Sequence, residues 1–311
     1  MGQRLGQHFL KHGWAARALA HAANPDFAET IVEIGPGKGI LTKELLTFGN
    51  PVVAIEKDEA LVTLLNETFA EEIADGSLKI LGGDIRDVVI SLEPEKTMPD
   101  ARHHKSTSIF LNAEVKKNWS RGESGAGDVY GHTASATLRL RNNADGIVLS
   151  GGYIVAANIP YYITGEIIRQ FLTAEEKPRA MALLVQKEVA QRITDTKSSI
   201  LSLSVRAFGV PSIIKKVPKS HFSPPPSVDS AILLIDDISK DFFTDLSEAA
   251  FFQVVHAGFS SKRKFLANNL GNLFAKQQVR DAFETCGIDE KARAEDLSID
   301  EWQSLARELT K

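Results

Sequence analysis

The sequence predicts an α/β fold, a parallel β-sheet with helices on both of its faces, followed by a small all-helical domain. Over residues 31–87, short β-branched runs alternate with amphipathic stretches of helical spacing. After a long interruption the same alternation resumes, and from about residue 240 only the helical spacing remains. Such alternation implies a parallel sheet that binds ligands at the carboxyl ends of its strands.

The predicted elements follow one another in a regular order. In the first half we expect strands at TIVEIG, PVVAIE and SLKILGGD, a helix at KGILTKELLTFG and one long helix at KDEALVTLLNETFAEEI. In the second half we expect strands at GYIVAANIP, RAMALLVQ, PSIIKKVP and DSAILLI, with helices at TGEIIRQFL and KEVAQRI. Helices at DLSEAAFFQVVHAGF, KFLANNLGNLF, VRDAFETC and SIDEWQSLAREL complete the chain. We therefore expect two domains, 1–238 and 239–311.

The composition is that of an ordinary globular protein, with 43% hydrophobic and 24% charged residues among 311. Its one cysteine, Cys286, excludes a disulfide framework and a thiolate zinc site, and it fits a cytoplasmic protein. No stretch approaches the length of a membrane span, and the N-terminus lacks the apolar core of a signal peptide. We expect neither a membrane segment nor a bound metal.

The net charge of −4 hides two basic segments. Residues 1–25 and 249–280 contain lysine and arginine but no acid, whereas residues 281–311 carry nine acids against four bases. Attraction to phosphate depends on the local patch, so the acidic total does not exclude a nucleic-acid partner. Taken alone, each basic run is more typical of a solvated face.

The first chemical motif is EIGPGKG, residues 33–39, which follows the first predicted strand. Gly35 and Gly37 let the backbone approach a ligand closely. Glu56 ends the second strand, where a carboxylate can accept both hydroxyls of a ribose, and Asp84 ends the third, where it can meet an adenine amino group. Nicotinamide dehydrogenases use similar parts, and glycines that serve turn geometry alone are a further alternative.

The second motif, Asn158-Ile159-Pro160-Tyr161, ends the fourth predicted strand. It resembles the (N/D)PPY-type signature of methyltransferases that modify exocyclic amino groups of bases. The Asn158 side-chain oxygen and the Ile159 carbonyl can accept the two amine hydrogens, which directs the lone pair of the nitrogen at a methyl donor. Pro160 makes the turn rigid, and Tyr161 can stack on the base. The substrate is then an adenine presented flipped or unpaired.

Further blocks in family order extend the resemblance over most of the chain, among them GQHFL, AIEKDEAL, LLVQKEVAQRI, HFSPPPSVDSAILL and GFSSKRKFLANNL. Together they are similar to the rRNA adenine N6,N6-dimethyltransferase family, to which the Erm resistance enzymes are related. The resemblance implies a Rossmann-like methyltransferase sheet with S-adenosylmethionine (SAM) as cofactor. It carries the family's SAM contacts onto His8, Leu10, Gly35, Glu56, Asp84 and Asn158, and it places Phe222 against the target base. Many relatives have asparagine at the position of His8.

The resemblance implies that the chain dimethylates two adjacent adenosines near the 3′ end of small-subunit rRNA, with the immature small ribosomal subunit as partner. An Erm-type enzyme acting on large-subunit rRNA is one alternative, and a non-catalytic nucleic-acid-binding relative is another. We expect the helical domain to bind RNA. The candidate phosphate contacts are Lys215, Lys216, Lys219, Lys262, Arg263 and Lys264.

One region departs from the family pattern. Residues 92–150 form an atypical insertion rich in Gly, Ser, Thr and Asn, with a β-hairpin expected at about 133–149. His103 and His104 lie there, but no acid or cysteine is spaced to complete a metal site with them. A surface insertion, a hairpin that contacts a partner or RNA, and a mobile segment are the competing interpretations.

Overall fold

The computed structural model describes residues 8–11, 13–26, 29–92, 139–140, 146–149 and 151–311. The described strands are β1 (Phe9–Leu10), β2 (Thr30–Ile34), β3 (Val52–Glu56), β4 (Leu78–Gly82), β5 (Val89–Leu92), β6 (Arg139–Leu140), β7 (Gly146–Leu149), β8 (Tyr153–Asn158), β9 (Met181–Gln186), β10 (Val210–Val217), β11 (Phe222–Ser223) and β12 (Ser230–Asp236). The described helices are α1 (Gly13–Ala23), α2 (Ile40–Leu46), α3 (Glu59–Thr68), α4 (Ala70–Ala74), α5 (Thr164–Thr173), α6 (Lys187–Thr194), α7 (Ile200–Arg206), α8 (Glu248–Gly258), α9 (Leu266–Leu270), α10 (Lys276–Cys286) and α11 (Ile299–Leu309).

The main sheet has seven strands in the order β10-β12-β9-β8-β2-β3-β4. β2, β3 and β4 are parallel to one another, and β8 is parallel to β9. β12 pairs antiparallel with β9, and β10 pairs antiparallel with β12. The predicted α/β class with a mostly parallel, helix-flanked sheet is confirmed, and β12 is antiparallel to both of its neighbours, β9 and β10.

The chain divides into two compact units. The first unit is Pro25–Tyr153, and the second unit consists of Met1–Asn24 and Ile154–Lys311. The helical residues 239–311 therefore belong to the second unit. Their independence as a domain stays a prediction.

In the first unit, β2 and β3 each run into a turn that leads to the next helix. Asp58, directly before α3, caps that helix by accepting a hydrogen bond from the Ala60 N–H at 2.9 Å. The prediction of one long helix over KDEALVTLLNETFAEEI is wrong, because Phe69 separates α3 from α4 with φ −115° and ψ 34°. The Phe69 ring is buried against the turn at Gly39, so packing overrides helical spacing there.

The second unit contains short elements that the sequence pattern did not predict. β1 and β11 pair antiparallel, with Leu10 opposite Phe222. Strands of two residues have no periodicity to detect, and pairing alone defines them. The alanine-rich helix α1 follows β1 and packs against β9, β10 and β12. The N-terminal segment is thereby joined to the loop that follows β10.

The C-terminal helices α8, α10 and α11 form where their spacing predicted them, whereas α9 ends at Leu270, directly before Gly271. Trp302 of α11 is fully buried among these helices. A side chain at Gly258 would meet the Trp302 ring at 2.4 Å, so only glycine permits this close approach. Ser298 starts α11 with a capping box, in which its side chain and that of Glu301 each accept from the other's backbone N–H.

A separate three-stranded sheet contains the two described strands of the insertion, β6 and β7, together with β5. β7 pairs parallel with β5 and antiparallel with β6. The pairing of β6 with β7 falls within the hairpin predicted at about 133–149 and confirms that part of it. Residues 93–138, 141–145 and 150, including His103 and His104, lie outside the described residues.

Candidate active site

The loop between β2 and α2 is built from glycines with left-handed backbone. Gly35, Gly37 and Gly39 have φ values of +65°, +60° and +80°, a conformation that glycine adopts at little cost. A Cβ at Gly39 would collide with the Phe69 ring at 2.4 Å, whereas one at Gly35 would meet no described atom within 4 Å. Packing against the Phe69 ring therefore explains why residue 39 is glycine. The backbone at Gly35 borders open space, as a ligand-binding loop requires.

Glu56 is the last residue of β3, and its side chain is held beside the glycine loop. It is 4% exposed, its Oε2 accepts from the Gly37 N–H at 3.1 Å, and its Oε1 accepts from the Asp58 N–H at 2.9 Å. Each carboxylate oxygen has two acceptor positions, so one on each oxygen remains for the hydroxyls of a diol. The structure brings Glu56 and Gly37 together, as a shared cofactor role requires.

Glu33 is a buried carboxyl group that the sequence reasoning missed as a site residue. It lies in β2 and is fully buried, and burial raises its pKa to about 8, with the charge of nearby Glu56 adding to the effect. The Thr42 hydroxyl partly offsets this effect, but it makes no hydrogen bond of ordinary geometry with either oxygen. Glu33 is therefore protonated at neutral pH. The signal for a buried carboxyl group in the sequence was an acidic residue between the apolar residues Val32 and Ile34.

Asp84 follows β4, and its carboxylate already accepts hydrogen bonds from two cationic side chains. Its Oδ1 accepts from the N–H and Nε of Arg86, at 3.1 and 2.9 Å, and its Oδ2 accepts from Arg86 Nη2 at 2.5 Å and Lys57 Nζ at 2.8 Å. Arg86 first, and Lys57 second, hold the pKa of this carboxyl well below its usual range. A carboxylate has about four acceptor positions, so a contact with adenine requires one donor to leave. Lys57, whose side chain is 68% exposed, is the more readily displaced.

Asn158, the last residue of β8, is oriented by the N-terminal segment. Its Nδ2 donates to the carbonyl oxygen of His8 at 3.1 Å. The His8 ring is held in turn, with Nδ1 2.8 Å from the Pro224 carbonyl oxygen. Within the described part of the chain, Asn158 Oδ1 has no hydrogen-bond partner. The amide therefore leaves an acceptor available, as binding of an amine requires.

Tyr161 is fixed at two points directly after Asn158. Its hydroxyl lies 2.7 Å from Ser230 Oγ, and its ring centre lies 5.6 Å from that of His8. Burial is the main cause of the raised pKa of this phenol, so it stays protonated. Ile159 is buried, and Pro160 begins the 3₁₀ turn Tyr161–Ile163. These contacts hold the Tyr161 ring in one position.

Phe222 and Leu10 are placed differently from what their assigned contacts require. Both side chains are buried, at 0% and 5% exposure, and the two residues pair across β1 and β11. A ring at 0% exposure meets a base only if the loop opens, and Leu10 can reach a cofactor only through its backbone. Exposure depends on pairing between distant segments, which the local sequence does not reveal.

The six predicted RNA-binding residues all lie in the second unit and are exposed. In the described residues, none of them pairs with a carboxylate. Lys262, Arg263 and Lys264 occupy the loop between α8 and α9. Asn269, 1% exposed, holds this loop through bonds from Nδ2 to the carbonyl oxygens of Gly258 at 2.6 Å and Ser261 at 3.0 Å.

Comparison with known proteins identifies the family. The model of the family described as "Ribosomal RNA adenine dimethylase" matches residues 2–311. The chain belongs to this family. Its adenine dimethyltransferases are SAM-dependent enzymes, so the predicted family and enzyme class are confirmed. Two bacterial relatives bear the name "Ribosomal RNA small subunit methyltransferase A". The one from Dehalococcoides mccartyi is 34% identical over 97% of this chain and 86% of its own length. The one from Synechocystis is 31% identical over 99% and 95%.

Solved structures support the fold of this rRNA adenine dimethylase family member. The 23S rRNA methyltransferase ErmE has a TM-score of 0.66 at 18% identity, covering 97% of this chain and 100% of its own. A dimethyladenosine transferase from Plasmodium falciparum has a TM-score of 0.65 at 20% identity, with 96% of both chains covered. At these identities the likeness shows the fold alone.

The residues of the first unit fit the family's cofactor. Open space beside Gly35 and a buried carboxylate at Glu56 suit a nucleoside with a free ribose diol. Among the residues that the structure describes, no group of three or more His, Cys, Asp or Glu is arranged to hold a metal ion. No helix in the described ranges is long and apolar enough to cross a membrane.

Proposed function

We propose that this protein transfers methyl groups from SAM to the N6 amino groups of two adjacent adenosines in the 3′-terminal hairpin of small-subunit rRNA, on the immature subunit in the cytoplasm. The orientation of Asn158 carries the proposal. Its amide nitrogen is used by the His8 carbonyl, and its oxygen is left to accept from an amine.

The N6 nitrogen of adenine is a poor nucleophile because its lone pair is delocalised into the ring. Hydrogen bonds from this amine to Asn158 Oδ1 and to the Ile159 carbonyl would hold its two hydrogens and direct the lone pair. Tyr161, held by Ser230, would support the base with its ring. SAM supplies a methyl group already activated by its sulfonium. Catalysis is then mainly positioning and exclusion of water.

The cofactor is assigned to the residues of the first unit. Gly35 and Gly37 would line the donor, and Glu56 would bind its ribose. Asp84 is the candidate for the adenine amino group, provided that Lys57 leaves. His8 and Leu10 would contact the donor by analogy with the family. For Leu10 that contact is a backbone one, because its side chain is buried.

The choice of small-subunit rRNA is supported by the names of the relatives at 30–34% identity, which are small-subunit methyltransferases. The doubled tyrosine Tyr161-Tyr162 and the C-terminal segment also favour it. Ile159 is the feature that favours an Erm-type target instead. Fold similarity does not decide between the two targets, because the TM-scores of 0.66 for ErmE and 0.65 for the dimethyladenosine transferase are equivalent.

Primer extension on ribosomes from methylation-deficient cells tests the proposal. Small and large subunits are incubated separately with SAM and either the wild-type protein or no protein. We expect two adjacent stops near the 3′ end of small-subunit rRNA, present only with the protein. A stop in large-subunit rRNA alone would establish the Erm-type alternative. No stop in either, with RNA binding retained, would indicate a non-catalytic relative.

A further inference from the structure

We propose that Trp14 is an RNA-stacking residue: an unpaired base of the substrate RNA stacks on its indole ring and displaces Lys215, whose ammonium then binds the adjoining phosphate. Trp14, Lys11, Lys215 and His221 form what we call the Trp14 surface. The choice of RNA as the occupant rests on the proposed function.

Three contacts gather these residues within the second unit. The Lys215 Nζ lies over the Trp14 ring, 5.2 Å from its centre. The His221 ring meets the indole in a T-shaped arrangement, at 5.0 Å between ring centres and 87° between planes. The Lys11 N–H donates to the His221 carbonyl oxygen at 2.8 Å. Residues 11–14 and 215–221, far apart in the sequence, thereby meet around one aromatic ring.

Among the described residues, no acid pairs with the cations of this surface. Lys11 and Lys215 are exposed, and neither forms an ion pair with a described carboxylate. By contrast, the cleft of about 340 Å³ beside the proline-rich loop includes Glu188 and Asp229 along with Lys187 and Lys219. The charge of the Trp14 surface is therefore better suited to a phosphate backbone.

The stacking site follows from the position of Lys215. Trp14 is itself partly exposed, and the lysine that lies over its ring is exposed. An exposed cation–π contact is weaker than the stacking of a base on an aromatic ring. A base can therefore replace the ammonium at a net gain, and the freed lysine remains beside the backbone of the same strand. A basic groove with an aromatic face is the usual arrangement for binding single-stranded nucleic acid.

The test compares binding of a short oligoadenylate RNA with binding of an abasic oligonucleotide of the same length, using the full chain. We expect Trp14→Ala to weaken RNA binding by roughly ten- to hundredfold, and Trp14→Phe by only about threefold or less, because phenylalanine retains a stacking face. Lys291→Ala, which removes an exposed cation elsewhere, should change neither. On the abasic strand, Trp14→Ala and the wild type should bind equally.

Fluorescence and salt dependence give independent readouts. The chain has three tryptophans, so emission is measured in a Trp119→Phe background. RNA should quench tryptophan emission in Trp119→Phe but not in Trp14→Phe/Trp119→Phe, since the remaining Trp302 is buried. Lys215→Ala should reduce the salt-dependence slope by about one unit while the quench persists.

An unchanged affinity of a folded Trp14→Ala variant would overturn the proposal. An equal loss on RNA and the abasic strand would also overturn it, because Trp14 would then act only by holding Lys215 and His221. If Trp14→Ala fails to fold, an identical quench in Trp119→Phe and Trp14→Phe/Trp119→Phe decides against stacking. Methyl transfer is not part of this assay, so failure of the proposed function is seen separately, as RNA binding without rRNA methylation.

Discussion

Asn158 and Glu56 are each oriented by hydrogen bonds with backbone groups. Asn158 is held by the His8 carbonyl, and Glu56 by the N–H groups of Gly37 and Asp58. Both side chains are therefore held in place before any ligand arrives, which reduces the conformational entropy that binding must remove.

The positions of these residues could be predicted from sequence, because each ends a strand with a clear apolar pattern. The groups that hydrogen-bond to them or pack against them could not be predicted. The His8 carbonyl reaches Asn158 across 150 residues, and Phe222 is buried by a pairing with Leu10 that no local pattern encodes. Asp84 was predicted as an open acceptor, but Arg86 and Lys57 already occupy it.

We expect Glu56→Ala to weaken SAM binding by at least about tenfold, because each lost charge-assisted hydrogen bond is worth about 1.5–3 kcal/mol. Calorimetric titration with SAM measures this directly. Glu59→Ala, at an exposed position three residues further along, is the matched control. Unchanged SAM affinity in Glu56→Ala would remove Glu56 from the cofactor site.

At the scale of elements, turns carry most of the candidate chemistry. The glycine loop, the Tyr161–Ile163 turn and the loop between α8 and α9 each follow a strand or helix whose packing fixes them. Strong periodicity predicted most strands and helices. It failed where one residue leaves the pattern to pack elsewhere, as Phe69 does between α3 and α4.

Neutralising Lys262, Arg263 and Lys264 together to alanine should weaken RNA binding and reduce its salt-dependence slope by up to about three units. SAM affinity should not change. Filter binding over a salt series measures the slope, and Lys43→Ala combined with Lys291→Ala controls for loss of charge elsewhere. If the slope of the triple variant matches that of the wild type, these residues form only a solvated face.

Asn269→Ala should loosen the loop that carries this cluster. Loss of Asn269 removes its hydrogen bonds to the Gly258 and Ser261 carbonyls, of which Ser261 still accepts from the Lys264 N–H at 3.2 Å, and the free energy of unfolding should fall by about 1–3 kcal/mol. RNA affinity should fall as well at temperatures where the variant remains folded. Thermal melting and filter binding check both effects, and Asn268→Ala, exposed on the same helix, is the control. A fully folded variant with wild-type RNA affinity would show that the loop holds its shape without Asn269.

At the scale of the whole molecule, charge is distributed unevenly. The net charge is −4, yet the six predicted RNA contacts are exposed cations that all lie in the second unit. Composition alone could not show this distribution, because composition does not tell which lysines pair with acids. Glu33 adds one buried carboxyl group whose ionisation is linked to the stability of the fold.

We expect Glu33→Gln to stabilise the protein progressively as the pH rises from about 4.5 to about 8. The raised pKa means that the folded state keeps a proton which the unfolded chain releases above the ordinary value of 4.5, so wild-type stability falls through this window and levels off above about 8. The difference should grow by at most about 1.4 kcal/mol per pH unit. Urea unfolding at several pH values measures it, with Glu59→Gln as control, and a pH-independent difference would contradict the burial effect.

The central claim is that Asn158 orients the adenine amine for methyl transfer, and the most direct test is the single-turnover rate of Asn158→Ala at saturating SAM and small-subunit RNA. Saturation separates the chemical step from any weakening of SAM binding. We predict that methyl transfer collapses while RNA affinity stays near wild type, because the amide acts on the geometry of the reacting amine. A variant that transfers methyl groups at close to the wild-type rate would contradict the proposed role of Asn158.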